Sequence, residues 1–325
     1  KGVMKRFGSA RISWLTGRES LDVIKRNQEI SRVFTLPETR READRLMQKR
    51  FDIIINIDED MRACRLASAL SEKNKACVFG FFFDAKSKSA RPTEGAVYWH
   101  SISRLGGSDS DVLKKANRKT YQEMLFSVIG LRFRKEPMVF RVPEEAKEYA
   151  FSFAKKHGLP RKRVVGIFPG AGKRWPLKKW GAERFALLSD ILSIRHKYKV
   201  VLFGSADDSK ELKEVISHAR YPEMIVKAPE RLSLDRLAAL MSLCNLVVSG
   251  DTLAMHLATA LKRRVVAIFG PTSDSEIELY GRGAKIVTEQ PCRRCYKTRC
   301  ARKHSCMESI QVSSVLKAAL GRGVK

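Results

Sequence analysis

A short apolar segment that ends on Gly-Asp-Thr and runs into helix-forming residues constrains this chain more than any other feature. Residues 245–249 are typical of a buried strand, and residues 252–262 are good helix formers. Such a junction presents free backbone N–H groups and the positive end of a helix dipole, where an α/β sheet receives a phosphate. His256 lies one turn after Thr252 and can face the same crevice. Taken alone, the junction is more typical of an N-cap threonine and a core histidine than of a ligand site.

A second junction of the same kind favours the phosphate interpretation. The apolar run 164–168 leads into Pro169-Gly170-Ala171-Gly172, a turn in which glycine lets the backbone approach a ligand closely. Lys173 and Arg174 add positive charge beside that turn. The loop is neither Gly-x-x-x-x-Gly-Lys-Ser/Thr nor Gly-x-Gly-x-x-Gly. Two such junctions predict the binding of a diphosphate.

Short apolar runs alternate with helical patterns along the chain, which predicts an α/β fold built from strand–helix–strand units. A length of 325 residues suits about two domains, and we predict residues 1–142 for the first and 143–325 for the second. Strands are predicted at 11–16, 32–36, 52–56, 76–82, 164–168, 199–203, 224–226, 245–249, 265–269 and 285–287. Helices are predicted at 20–27, 40–49, 61–71, 111–129, 144–157, 178–195, 208–219, 233–243, 252–262 and 308–320. The polar stretch 84–107 is predicted to be a long connector, either a functional loop or a surface insertion.

Four motifs resemble, in order and spacing, those of the family 9 glycosyltransferases, which include the ADP-heptose:lipopolysaccharide heptosyltransferases. They lie at 169–176 with Trp180 after them, at 203–207, at 251–258 and at 267–272. The first half of the chain is similar more loosely, at 11–15, 51–56 and 117–123. The resemblance covers nearly the whole chain and is specific from residue 164 onward.

The resemblance implies two Rossmann-like domains that face each other across a cleft, the GT-B arrangement. The acceptor then binds to the first domain and the nucleotide-sugar to the second, and the sugar is transferred with inversion and without a divalent metal or other cofactor. A heptose-like sugar would pass from ADP-heptose to a lipopolysaccharide core or another cell-surface glycan. The residues implied to bind the donor are Gly170, Ala171, Gly172, Lys173, Arg174, Asp207, Asp251, Thr252, Leu253 and His256.

Roles within this set follow from residue type and position. Lys173 and Arg174 would meet the pyrophosphate, and Asp251 would orient sugar or ribose hydroxyls. Asp207 matches an acidic position near the nucleoside and is equally compatible with a helix N-cap. Leu253 stands where the family usually has glycine, so its Cβ narrows the approach to the loop.

The general base is the main departure from the family pattern. The family places it on an aspartate in a Gly-rich turn after the first strand, whereas residues 1–8 resemble the end of a helix with Gly8 as its C-cap. The base is therefore expected upstream of Lys1. Within the chain, Asp58, Glu59 and Asp60 are the alternative carboxylates, after a predicted strand.

The formal net charge of +28, from 63 Lys and Arg against 35 Asp and Glu, predicts an anionic partner. The candidates are nucleic acid, an anionic membrane surface and a phosphorylated glycolipid. The aromatic signatures of RNA-binding modules are absent, so no specific nucleic acid is expected. A run of 18 apolar residues is also absent. We expect a cytoplasmic enzyme, peripheral at the inner face of the cytoplasmic membrane.

Four of the seven cysteines lie close together, as Cys292-x-x-Cys295-x4-Cys300-x5-Cys306. Four thiolates around one ion would form a structural zinc site, with His304 as a further ligand. Free thiols and disulfides are the alternatives. We expect this segment to be a local element that does not reach the donor crevice.

Two other functions remain open at this point. A nucleotide-sugar epimerase can have the same architecture, and a basic nucleic-acid-binding protein could use the cysteines as a zinc knuckle. The second explains the charge and the cysteines but leaves the two phosphate-type loops without a role.

Overall fold

The computed structural model describes residues 2–103, 108–159, 161, 163–172, 175–302 and 304–321, with the backbone alone at 108–111. Its residues fall into two compact units. The first unit comprises Lys1–Glu136 with Ser275–Glu278, and the second comprises Pro137–Asp274 with Leu279–Lys325. The chain thus passes from one unit to the other after Glu136, six residues before the boundary expected at 142.

The first unit contains two small sheets. β1 (Ser13–Thr16) and β2 (Arg32–Thr35) form a parallel pair. β3 (Ile53–Asn56) runs parallel to β4 (Cys77–Asp84), which pairs antiparallel with β5 (Ser89–Pro92). Its helices are α1 (Gly2–Phe7), α2 (Leu21–Ile24), α3 (Arg40–Met47), α4 (Met61–Asn74), α5 (Val97–Ser103), α6 (Ser108–Ala116) and α7 (Tyr121–Val128).

The prediction of a long connector at 84–107 is wrong, because most of that stretch forms a strand and helices. The carboxylate of Asp84 accepts hydrogen bonds from the backbone of Lys86 and Ser87, which turns the chain back into β5. Trp99 and Ile102 of α5, one helical turn apart, are buried against Phe81 and the α7 residue Met124. These apolar contacts hold α5 in place.

The prediction of one continuous helix at 111–129 is also wrong. α6 ends at Ala116, and Thr120 begins α7 with a capping box. The Thr120 hydroxyl accepts the N–H of Glu123, and the Glu123 carboxylate accepts the N–H of Thr120. This reciprocal cap satisfies backbone donors that a continuous helix would have paired internally.

The second unit contains a parallel sheet of six strands in the order β11-β10-β9-β6-β7-β8. Its strands are β6 (Val164–Phe168), β7 (Lys199–Leu202), β8 (Ile225–Lys227), β9 (Leu246–Gly250), β10 (Arg264–Phe269) and β11 (Gly283–Val287). Its helices are α8 (Glu144–Lys156), α9 (Ala182–Asp190), α10 (Ser209–His218), α11 (Leu234–Leu243), α12 (Leu253–Ala260) and α13 (Val312–Ala319). All residues of β6 and β9 are buried, as expected for central strands that are covered on both faces.

The helix expected at 178–195 is shorter than predicted. A 3₁₀ turn, Pro176–Lys178, precedes it, and Gly181 interrupts the segment with φ +104° before α9 begins. A π-turn, Ile191–Arg195, follows α9. Only glycine adopts such a positive φ without strain, so the start of the helix is set by Gly181.

Candidate functional site

The two phosphate-type loops begin side by side. β6 and β9 are neighbours in the sheet, and Phe168 is paired with Ser249. From β6 the chain proceeds through β7 to β8 on one side, then crosses to β9 on the other. This reversal is a topological switch point, whose carboxyl-end crevice is where open α/β sheets bind their ligands. The loops at 169–172 and 250–252 leave the sheet at this point.

The first loop is shaped by Asp208. A Cβ atom on Gly170 would lie 2.2 Å from Oδ1 of Asp208, so a larger residue there would displace the Asp208 carboxylate. The other oxygen of Asp208 accepts the backbone N–H of Ser205 at 2.9 Å and its hydroxyl at 2.7 Å. Ala171 is half-buried, and Gly172 has φ +66°. Lys173 and Arg174, which the sequence places next, lie outside the described residues.

Asp207, the predicted nucleoside-side carboxylate, is exposed in a short 3₁₀ turn, Ala206–Asp208. Its neighbour Asp208 is the residue that lies against the Pro169–Gly172 turn. The alternative interpretation of Asp207 as a helix N-cap is wrong, because Ser205 caps the turn and Asp208 occupies the N-cap position of α10.

Asp251 is held by a residue that the sequence analysis did not select. Nζ of Lys178 lies 2.8 Å from Oδ2 of Asp251 and 3.0 Å from its backbone oxygen. Both side chains are largely buried, with exposed fractions of 14% and 15%. Lys178 also lies 5.9 Å from the ring centre of Trp175, a weak cation–π contact. The Asp251 carboxylate is therefore fixed and largely neutralised.

At the start of α12, the N–H groups of Leu253 and Ala254 have no acceptor among the described residues, whereas the N–H of Met255 bonds to the carbonyl of Thr252. Thr252 is the N-cap residue, but its hydroxyl makes no bond to the helix and instead lies 2.9 Å from the hydroxyl of Ser249. These unbonded N–H groups, together with the positive end of the helix dipole, can therefore interact with an anionic ligand. Leu253, the residue in place of the family's glycine, is 58% exposed. The Cβ of Leu253 does not prevent α12 from beginning here.

His256 is solvent-accessible on the first turn of α12. The protein around the imidazole removes much of its hydration, which lowers the pKa of His256 below its ordinary value. The Asp251 carboxylate opposes this shift, and the Lys178 ammonium adds to it. A neutral imidazole at pH 7 can donate one hydrogen bond to a phosphate or ribose oxygen.

The cysteine-rich segment packs against the loop that follows β10. The N–H of Tyr296 bonds to the carbonyl of Pro271 at 2.9 Å. Arg294 pairs with Asp274 at 2.7 Å. A Cβ on Gly270 would lie 2.7 Å from Sγ of Cys306. The ring of Tyr296 lies 6.3 Å from that of Trp175, so the segment also reaches the residues that follow the first loop.

The predicted metal site is not assembled in this structure. Among the described residues, no group of three or more His, Cys, Asp or Glu side chains is placed to hold a metal ion. Cys306 is buried, Cys292 and Cys295 are half-buried and Cys300 is exposed, and all are free thiols. Burial, together with the three neighbouring cysteines, raises the pKa of Cys306 to about 11. His304, the further candidate ligand, pairs with Glu308 at 3.2 Å.

The carboxylates after β3, in the first unit, have separate roles. Oδ1 of Asp60 accepts the N–H groups of Arg62 and Ala63 and so caps α4. Oδ1 of Asp58 accepts the N–H of Asp60 at 3.0 Å and stabilises the turn. Glu59 instead contacts the side chains of His100 and Ser103 from α5. Of the three carboxylates, Glu59 is the one directed at a titratable partner.

A comparison with protein families decides what kind of chain this is. The model of glycosyltransferase family 9 (heptosyltransferase) matches residues 39–305. The chain belongs to glycosyltransferase family 9.

Relatives of this family 9 member include two bacterial proteins. Lipooligosaccharide heptosyltransferase 2 of Haemophilus influenzae is 30% identical over 175 residues, 49% of this chain and 50% of that protein. Lipopolysaccharide heptosyltransferase 2 of Escherichia coli K12 is 34% identical over 112 residues, 34% of this chain and 32% of that protein. The matches thus span about half the length of such relatives, or less.

Solved structures show the same fold. A family 9 glycosyl transferase from Veillonella parvula superposes with a TM-score of 0.77 at 21% identity, covering 99% of this chain and 90% of that one. The E. coli ADP-heptose LPS heptosyltransferase II superposes with a TM-score of 0.64 at 19% identity, covering 99% and 92%. The predicted fold class, α/β of the GT-B type, is confirmed.

Three residues of the family 9 chain at the candidate site were missed by sequence reasoning. Lys178, Asp208 and Tyr296 are selected by contacts with Asp251, Gly170 and the loop after β10, none of which follows from a local pattern. Of the three, only Asp208 could have been selected from the sequence, because it is the second residue of an Asp-Asp pair at a predicted helix start.

Proposed function

We propose that this protein transfers a heptose-like sugar from a nucleoside diphosphate donor, most simply ADP-heptose, to a lipopolysaccharide core or another cell-surface glycan. The observation that carries the proposal is the adjacency of the two loops at the switch point between β6 and β9. Family membership supports the reaction class, and both named relatives are heptosyltransferases.

In the proposed reaction the diphosphate leaves as the glycosidic bond breaks, and negative charge grows on its oxygens. The N–H groups of Leu253 and Ala254 at the start of α12 and the imidazole of His256 are suited to stabilise that charge. Lys173 and Arg174 would add positive charge, and Asp251 would orient hydroxyls of the sugar or ribose. These donors supply the charge stabilisation for which many transferases use a divalent metal, so we propose inverting transfer without one.

Donor binding is tested by thermal shift with ADP, UDP and their sugars. A ligand that binds only the folded protein raises the melting temperature, so ADP-heptose should raise it more than UDP-sugars do. Transfer is then measured as ADP release with a heptose-deficient lipopolysaccharide acceptor, with and without EDTA. ADP release in the absence of acceptor would indicate hydrolysis, and a new free nucleotide-sugar would indicate the epimerase alternative.

We expect Lys173→Ala to weaken donor binding more than it destabilises the fold. Loss of a hydrogen bond to a charged group costs about 1.5–3 kcal/mol, or roughly 10- to 150-fold in affinity. Calorimetric titration with ADP measures the loss, and Lys210→Ala, on the exposed surface of α10, is the control. Equal donor affinity in wild type and Lys173→Ala would remove Lys173 from the site.

We also propose that the enzyme works at the inner face of the cytoplasmic membrane. Its charge of +28 suits an anionic surface and a phosphorylated glycolipid. None of the helices that the structure describes is both long and apolar enough to cross a bilayer. Because the proposed attachment rests on the positive charge, it should weaken as the salt concentration rises.

A further inference from the structure

The start of α12 places an acidic side chain beside N–H groups that an anionic ligand would need. Asp251 precedes the N-cap residue Thr252, and the N–H groups of Leu253 and Ala254 have no acceptor among the described residues. An aspartate in such a position commonly folds back to accept the N–H two residues later, in an Asx-turn. Left to itself, Asp251 would thus compete for the N–H of Leu253 and, through its charge, repel an anion from the same helix end.

Lys178 holds the Asp251 carboxylate in a different arrangement. Nζ of Lys178 donates to Oδ2 of Asp251 at 2.8 Å and to its backbone oxygen at 3.0 Å. Both side chains are largely buried, so water screens their attraction only in part. The carboxylate is therefore paired with an ammonium group and not with the N–H groups of α12.

The position of Lys178 is itself set by backbone packing. A Cβ atom on Gly250 would lie 3.3 Å from the carbonyl oxygen of Lys178, so the 3₁₀ turn Pro176–Lys178 lies directly against the end of β9. The N–H of Lys178 bonds to the carbonyl of Trp175 at 3.0 Å, which closes that turn. The segment that follows the first loop thus places its lysine at the second loop.

The neighbouring imidazole responds to both charges of the pair. Burial lowers the pKa of His256, the Asp251 carboxylate raises it and the Lys178 ammonium lowers it again. Both charges therefore lie within electrostatic reach of the first turn of α12, and their effects there oppose each other. An anion bound at the same turn would meet the two charges as a pair with little net charge.

We infer that Lys178 is a positioning residue for the diphosphate of the donor: it holds the Asp251 carboxylate away from the N–H groups of Leu253 and Ala254 and neutralises its charge. The diphosphate then meets unbonded N–H groups and no net negative charge at the start of α12. This inference rests on the proposed function, in which a nucleoside diphosphate binds there. It gives Lys178 a role in ligand affinity in addition to its role in the stability of the fold.

The experiment measures the affinities of ADP and adenosine for the full-length protein by calorimetric titration, well below the melting temperature of each variant. Both ligands share the base and the ribose, so the ratio of their affinities reports the contribution of the diphosphate. Lys178→Met should lower this ratio by about 10- to 100-fold, the size expected for one uncompensated charge near the diphosphate. Lys210→Met, which breaks an exposed pair on α10, is the matched control and should keep the ratio within about threefold of wild type.

A second substitution separates positioning from direct contact with the ligand. In Lys178→Met/Asp251→Ala the pair is absent as a whole, so the ratio should return to within about threefold of wild type. If Lys178 instead contacts the diphosphate directly, the double variant stays as low as Lys178→Met. Asp251→Ala alone removes the competing carboxylate and should raise the ratio above that of wild type, a test that holds even if Lys178→Met does not fold.

The outcomes separate the inference from the proposed function. An unchanged ratio in folded Lys178→Met would leave Lys178 a purely structural role and overturn the inference. A double variant that stays low, or an Asp251→Ala variant whose ratio does not rise, would overturn it as well. Each of these results leaves the proposed function standing, because the wild type still binds the donor and transfers sugar. Failure of the wild-type protein to bind ADP-heptose or to transfer sugar would overturn the proposed function, and the inference with it.

Discussion

At the scale of single residues, the candidate donor site depends on the Lys178–Asp251 pair. The two side chains come from loops 73 residues apart in sequence and are fixed by two hydrogen bonds from one ammonium group. Their exposed fractions of 14% and 15% mean that either charge would be poorly hydrated without the other. The pair holds the start of α12 against the segment that leads to α9.

We expect Lys178→Met to lower the free energy of unfolding by about 1.5–3 kcal/mol, because it leaves the Asp251 carboxylate largely buried and unpaired. Urea denaturation measures the change, and adding Asp251→Asn should restore part of the lost stability. The control is Lys210→Met, which breaks an exposed pair with Glu214 at 3.8 Å. That variant should change stability by less than about 1 kcal/mol. Equal effects of the two lysine substitutions would contradict a special role for Lys178.

The lowered pKa of His256 predicts a pH dependence of stability. The unfolded state binds a proton near the ordinary pKa of about 6.5, while the folded state resists it. Neutral His256 therefore makes its full contribution to the free energy of unfolding at pH values above the unfolded-state pKa. That contribution is lost as the pH falls through the folded-state pKa. Relative to His256→Gln, the wild type should lose stability as the pH falls below about 6.5, measured by urea denaturation at several pH values. His218→Gln is the control, and a parallel pH dependence in wild type and His256→Gln would show that the environment of His256 does not resist protonation.

At the scale of elements, the cysteine-rich segment packs on the loop that follows β10. Cys306 and Met307 occupy the space that a side chain at Gly270 would need, and Tyr296 and Arg294 bond to residues 271 and 274. The N–H of Ser273 donates to the Tyr296 hydroxyl at 3.1 Å. These contacts make the shape of the loop after β10 dependent on the segment.

This packing predicts unequal reactivity of the cysteines. At pH 8, iodoacetamide should modify the exposed Cys77 and Cys300 first, as measured by mass spectrometry of peptides. Cys306 should react slowly, and Cys244 should stay unmodified until the protein unfolds, because burial raises its pKa to about 12. Rapid modification of Cys306 would show that the segment does not pack on Gly270. Protection of all four clustered thiols by added zinc would support the structural-metal prediction.

At the scale of the whole molecule, the positive charge is the dominant property. Each Lys or Arg near an anionic surface contributes about 1 kcal/mol of attraction, which salt screens over about 10 Å at 0.1 M. Under the proposed membrane attachment, these charges would supply the attraction to the lipid surface.

We therefore expect the protein to sediment with vesicles that contain phosphatidylglycerol and to stay in solution with phosphatidylcholine alone. Raising NaCl from 0.1 to about 0.5 M should release it, since screening weakens exposed charges most. A double-stranded DNA fragment serves as the competing anion. Binding that survives high salt, or a marked preference for DNA over anionic vesicles, would contradict the proposed membrane attachment.

The sequence alone was sufficient for the strands of the second unit and for the positions of its two loops. A parallel strand covered on both faces must be a continuous apolar run, so β6, β9 and β10 are visible as such, and the glycines after β6 mark where the chain leaves the sheet. The α/β class followed from the alternation of such runs with helical segments, whereas the GT-B type followed from the resemblance to the family. In the stretch 84–107, where mostly polar and small residues precede α5, the same reasoning found only a connector.

Tertiary structure alone decided which side chains meet. The pairing of Phe168 with Ser249 brings the two loops together, and strand order across a sheet is not encoded in any local period. The Lys178–Asp251 and Glu59–His100 pairs join residues 73 and 41 positions apart. Such contacts depend on the packing of whole elements, because an apolar face must be buried before the polar residues beside it acquire fixed partners.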